Sequence, residues 1–219
     1  MSEEPVLEKT PANGPTLERS RLYLLLAGAF GFPDEGFHEA VRKGELRSAL
    51  AATAEGLPYP LEGPGPELAD GGGSYAAFQS EYIRLFDVGA AGPPCPLYGG
   101  LYVGDRLRVM EETVRFYHYF GLRLSSALRE LPDHLTTELE FLHFLTFREA
   151  RARSLGEDPS PYVRAERDFL LRHPCRWIPL LEKRLEKTEP LPFFSALVSF
   201  TRSFLESDRS YCESLAGAS

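Results

Sequence analysis

Residues 131–150 read LPDHLTTELEFLHFLTFREA, a proline-aspartate break followed by apolar residues spaced three and four apart. That period, sustained over such a length, forms a helix and not a strand. A helix this apolar is stable only when other elements cover it. Pro132 ends whatever precedes the segment. Asp133 is expected to cap the new helix, with His134, Thr136 and Thr137 in its first turn. Arg148, Arg151 and Arg153 suit a helix C-terminus near residue 155. Gly156 closes the helix.

The rest of the chain supplies more helices. Helical patterns are expected over residues 16–30, capped by Thr16, then 34–41, 45–54, 74–88, 105–120, 160–172 and 175–187, with a last helix from Pro192 onward. Asp34, Ser74 and Asp105 stand at cap positions. Gly121 is placed to end the helix before it in the left-handed conformation. Pro179 is expected in the first turn of the helix that carries Trp177. Two irregular stretches interrupt this pattern, residues 56–73 and 89–105. The second, GAAGPPCPLYGGLYVGD, is long for a loop inside a compact domain and points to function. No run shows the alternation of a strand bounded by turns. The expected class is all-α, a two-lobed helical bundle of roughly eight to ten helices. Its expected division is a disordered lead-in over 1–15, an N-terminal lobe over 16–130, and a hinge with a C-terminal lobe over 131–219.

The 219 residues carry a net charge of −8, which disfavours nucleic acid and anionic membranes as partners and suits a cationic one. No apolar run is long enough to span a bilayer. Three separated cysteines without a C-x-x-C pattern fit a reducing, cytoplasmic setting. Cys95, framed by prolines, reads as the exposed thiol. No nucleophile elbow, phosphate loop or dinucleotide fingerprint is present, so neither an enzyme nor a bound cofactor is expected. A rival reading comes from two Glu-x-x-His pairs, Glu35/His38 and Glu140/His143, which in a helical bundle could hold a di-iron-like centre.

Three stretches then carry a family resemblance. They are Glu81-Tyr82-Ile83-Arg84-Leu85-Phe86 with the following Cys95-Pro96-Leu97-Tyr98 loop and Tyr102; Pro132-Asp133-His134-Leu135 running into Glu138-Leu139-Glu140; and Phe169-Leu170 through His173, Trp177 and Pro179 to Pro192-Phe193-Phe194. Together they resemble the TorD/DmsD-type redox-enzyme maturation chaperones, a group that includes the NarJ-like proteins. Gly99-Gly100 departs from the pattern, since relatives often carry an acidic residue and a serine there. The resemblance implies a cytoplasmic, non-enzymatic chaperone. Its partners would be the twin-arginine signal peptide and the apo catalytic subunit of a molybdopterin enzyme. It would assist cofactor insertion and delay export, as a monomer or a domain-swapped dimer. It implies a client-binding role for Pro132, Asp133, His134, Glu138, Tyr82, Phe86, Tyr98 and Tyr102, with Glu140 available to a basic leader.

Overall fold

The computed structural model describes residues 14–89, 92–123 and 131–217. Residues 1–13 of the expected lead-in, and most of the connection ahead of residue 131, lie outside the described residues. The described chain contains nine α-helices: α1 (Pro15–Ala29), α2 (Glu35–Arg42), α3 (Glu45–Glu55), α4 (Tyr75–Tyr82), α5 (Arg106–Tyr119), α6 (Leu135–Leu155), α7 (Ser160–Arg172), α8 (Pro174–Leu185) and α9 (Pro192–Gly217). Among the described residues no strand forms, and Tyr98 pairs with His134 in an isolated bridge. The all-α expectation therefore holds.

Local chemistry explains most boundaries. Asp34 accepts the Phe37 N–H at 2.7 Å, and Ser74 accepts the Ala77 N–H at 3.3 Å. Asp105 caps α5 by accepting the Leu107 N–H at 3.0 Å. Gly121 and Gly156 take φ of 74° and 69°, the left-handed region that stops α5 and α6. Two details differ from expectation. Thr16 does not cap α1; the N-cap is Gly14, and Pro15 opens the helix with its φ already set. Pro179 sits inside α8, not in its first turn, because that helix begins earlier, at Pro174.

α1 lies along α6 in the most extensive helix pairing, while α7 packs on α6 and α9, and α8 on α9. Leu22, Tyr23 and Leu26 of α1 are buried against this framework, as are Leu139, Leu142 and Leu145 of α6. A single cluster of buried side chains continues from α1 to Cys212 of α9, so the segments on either side of residue 131 share one core. Phe78 of α4 joins it, with ring centroids 5.1 Å from Phe193 and 5.0 Å from Phe194.

At one end of the core lies a buried charge network. Arg19 of α1 is fully buried, and its guanidinium meets Glu149 of α6 at 2.7 Å, Glu166 of α7 at 2.5 Å and Asp208 of α9 at 2.5 Å. The Tyr23 and Tyr59 hydroxyls donate to the Asp208 carboxylate at 2.5 and 2.6 Å. Tyr59 comes from the long loop after α3, so the same site pins that loop. Three carboxyl groups around one guanidinium cannot all stay charged without a further cation. Arg153 reaches Glu149 from the surface at 2.7 Å. Burial, with Glu149 and Asp208 adding to it and Arg19 opposing, pushes the Glu166 carboxyl up to about 8.

Replacing Arg19 with leucine strands these carboxylates, and urea unfolding should show a loss of about 3–5 kcal/mol. Glu166 gives a pH signature. Its proton is held in the folded protein but released by the unfolded chain above the ordinary carboxylate range. That contribution is intact below about pH 4.5 and is lost as pH rises toward about 8. The stability difference between Glu166→Gln and wild type should therefore shift in favour of the variant across that window. A pH-independent difference would contradict the assignment.

Candidate functional site

The site is built where the loop after α4 meets the start of α6. α4 runs into a π-helical turn, Ile83–Asp87, in which the Val88 N–H donates to the Ile83 carbonyl at 3.0 Å. Such a turn inserts a residue into the helical frame and re-aims the side chains that follow. It delivers Phe86 and Asp87 to one wall of a groove. The chain then passes through Cys95, whose N–H donates to the Leu85 carbonyl at 2.9 Å. Cys95 is buried, not exposed as expected, and burial pushes its thiol up.

The loop is next clamped to the start of α6. Leu135 N–H donates to Leu97 O at 2.8 Å, and Gly99 N–H donates to Asp133 O at 2.9 Å. The Gly100 N–H donates to the Asp133 carboxylate at 2.9 Å. Asp133 thus clamps the loop and does not cap α6. The cap is His134, whose Nδ1 accepts the Thr136 N–H at 3.3 Å. Accepting a backbone N–H requires that nitrogen to be unprotonated. The two glycines are explained by the same packing. A Cβ on Gly99 would lie 2.8 Å from Trp177 Nε1, and one on Gly100 would lie 2.9 Å from Asp133 Oδ2. A larger residue at either position forces the loop or these neighbours to shift.

The groove has a volume of about 800 Å³. Its walls come from the end of α1, the π-turn, the clamped loop, and the first turns of α5 and α6. Tyr82, Phe86, Tyr98 and His134, all read from the sequence, line it. Tyr82 and Phe86 form an aromatic floor with centroids 5.3 Å apart, and the Tyr82 hydroxyl donates to Phe30 O at 2.9 Å. Tyr98 meets the His134 ring edge-on at 4.8 Å. Around this floor Leu24, Phe32 and Leu101 stand 51%, 58% and 41% exposed, unusual for large apolar side chains converging on one opening.

Pro132, Asp133, Glu138 and Tyr102 stand behind the groove and support it. The Pro132 carbonyl accepts the Tyr117 hydroxyl at 2.8 Å. Tyr102 stacks on Trp177 at 5.4 Å and donates to Pro96 O at 2.9 Å. Glu138 is wholly buried and accepts the Trp177 indole N–H at 3.0 Å; burial pushes its carboxyl far up. Leu24, Phe32, Leu101 and Arg106 were not legible as site residues. The signal available was Phe32, a bulky aromatic wedged between glycine and proline. Glu140 also lines the groove, and desolvation raises its carboxyl while His143 opposes that.

The rival metal reading finds no geometry. His38 Nε2 lies 3.1 Å from Gly71 O, and His143 Nδ1 lies 2.9 Å from Ser20 Oγ. Among the described residues no group of three or more His, Cys, Asp or Glu side chains is arranged to hold a metal ion.

Two substitutions separate the clamp from the buried acid. Asp133→Ala orphans the Gly100 N–H and should lose about 1–3 kcal/mol of stability, read from Trp177 fluorescence during urea unfolding. Glu138→Gln keeps an acceptor for Trp177 and should change stability by less than about 1 kcal/mol at neutral pH.

Comparison with known proteins shows the family. Residues 36–182 match the family described as nitrate reductase delta subunit. The chain is 35% identical over 213 residues to the perchlorate reductase assembly chaperone protein of Dechloromonas aromatica (strain RCB), covering 94% of this chain and 93% of that one. It is 36% identical over 169 residues to the chlorate reductase assembly chaperone protein of Ideonella dechloratans, covering 76% of each. It is 38% identical over 151 residues to the selenate reductase assembly chaperone protein of Thauera selenatis, covering 66% of this chain and 78% of that one. The chain belongs to the nitrate reductase delta subunit family, a TorD-related family of redox-enzyme assembly chaperones and not of enzymes.

Proposed function

We propose that the chain is a cytoplasmic chaperone dedicated to one molybdoenzyme of the kind its relatives serve. It binds the twin-arginine signal peptide and the apo catalytic subunit, supports cofactor insertion, and delays export. The observation that carries this reading is the groove of about 800 Å³, where exposed Leu24, Phe32 and Leu101 surround an aromatic floor. An apolar peptide segment seats such side chains at every third or fourth position. Asp87 and Glu140 on the same groove offer carboxylates to basic residues flanking that segment. Phe32, exposed at the rim, offers a ring face on which a guanidinium group stacks. Support for the cytoplasmic setting is compositional, and no described helix is long and apolar enough to cross a membrane.

A fluorescently labelled synthetic twin-arginine leader titrated with the protein should bind, and binding should weaken as salt screens the carboxylates. Phe32→Ala should weaken it about tenfold by removing an exposed anchor, while Glu140→Gln should flatten the salt dependence. Wild-type protein that binds no leader at any ionic strength would sink the reading.

A further inference from the structure

The groove contains one polar group that a purely apolar and basic peptide does not satisfy. Arg106, the first residue of α5, lines it. Its guanidinium carbon lies 5.6 Å from the centroid of the Tyr98 ring. Arg84, Arg115, Arg153, Arg172 and Arg202 each face a carboxylate. Arg106 makes no ion pair among the described residues, and its Nε is shielded from solvent with no acceptor. The nearby carboxylate of Asp133 accepts the Gly100 N–H through Oδ2, and it makes no ion pair with Arg106. Its two terminal nitrogens present the pair of donors that matches a carboxylate in two parallel hydrogen bonds.

We infer that Arg106 is a specificity residue that receives an aspartate or glutamate side chain of the client segment lying in the groove. This deepens the proposed function and rests on it. The charge pattern of the groove selects the occupant. Asp87 and Glu140 attract cations, whereas Arg106, over the Tyr98 ring, repels them. A segment that fits must therefore carry opposite charges, the basic group meeting Glu140 or Asp87 and the acidic group meeting Arg106. A leader with only basic residues leaves Arg106 unpaired inside the complex, which lowers its affinity. The groove would thereby sort among leaders that share the same twin-arginine and apolar features.

The test uses the full chain and two synthetic twin-arginine leaders, identical except for glutamate or glutamine at one position after the arginine pair, scanned through the apolar segment. At the matching position wild type should prefer the glutamate peptide by about tenfold, the usual scale of a charge-assisted hydrogen bond. Arg106→Ala should bring the ratio to about one, and Arg106→Lys should retain part of it, as a point charge without the fork. Arg106→Glu should invert the preference, so that the glutamine peptide binds more tightly than the glutamate peptide. Equal binding of the glutamate and glutamine peptides to wild type at every position, or a preference unchanged in Arg106→Ala, overturns this inference and leaves the proposed function standing. Binding of neither peptide overturns both.

Discussion

A single buried arginine ties the first helix to the last. Arg19 of α1 joins Glu149, Glu166 and Asp208, from α6, α7 and α9, and every one of these side chains is withdrawn from water. A charge in that position is tolerable only when each partner is in place. The bond therefore does more to specify the arrangement than to stabilise it, since an apolar replacement of the whole set could pack as well. Once α1 is held against α6, the end of α1 is fixed beside the π-turn and the start of α6. Those are the walls of the groove.

A second constraint shapes the groove itself. The proline- and glycine-rich loop has one short 3-10 turn of its own, Gly99–Leu101, and the rest of its backbone must find partners elsewhere. Asp133 supplies both a carbonyl and a carboxylate to the N–H groups of Gly99 and Gly100. Trp177, held by Glu138, closes the other side of the loop. Residues that a motif comparison places at a client-binding seam thus divide by physical role. Tyr82, Phe86, Tyr98 and His134 face the opening, while Asp133 and Glu138 hold the wall upright. A substitution at Asp133 therefore acts on the position of the loop and not on the lining of the groove.

The opening segment at residues 131–150 illustrates how much was legible. Its periodicity and the glycine at its end are local properties, and both the helix and its C-terminus follow from them. Its start did not follow, because Asp133 had two possible uses, and the one realised depends on a loop 33 residues earlier in the chain. Cys95 misled for the same reason. Flanking prolines indicate a loop, but whether a loop residue faces solvent depends on what lies beneath it, here the Leu85 carbonyl and the core.

The sequence by itself determined the helical class, most caps and the position of the long irregular loop, because each is written in spacing or local backbone preference; the aromatic residues of the groove floor were legible through the family resemblance. The tertiary structure alone decided the Arg19 network, the role of Asp133, and the convergence of Leu24, Phe32 and Arg106 on one opening. Those depend on side chains meeting across as many as 189 positions of chain, as Arg19 and Asp208 do. No local pattern records which acid a buried arginine will find, or which exposed leucine will face a groove.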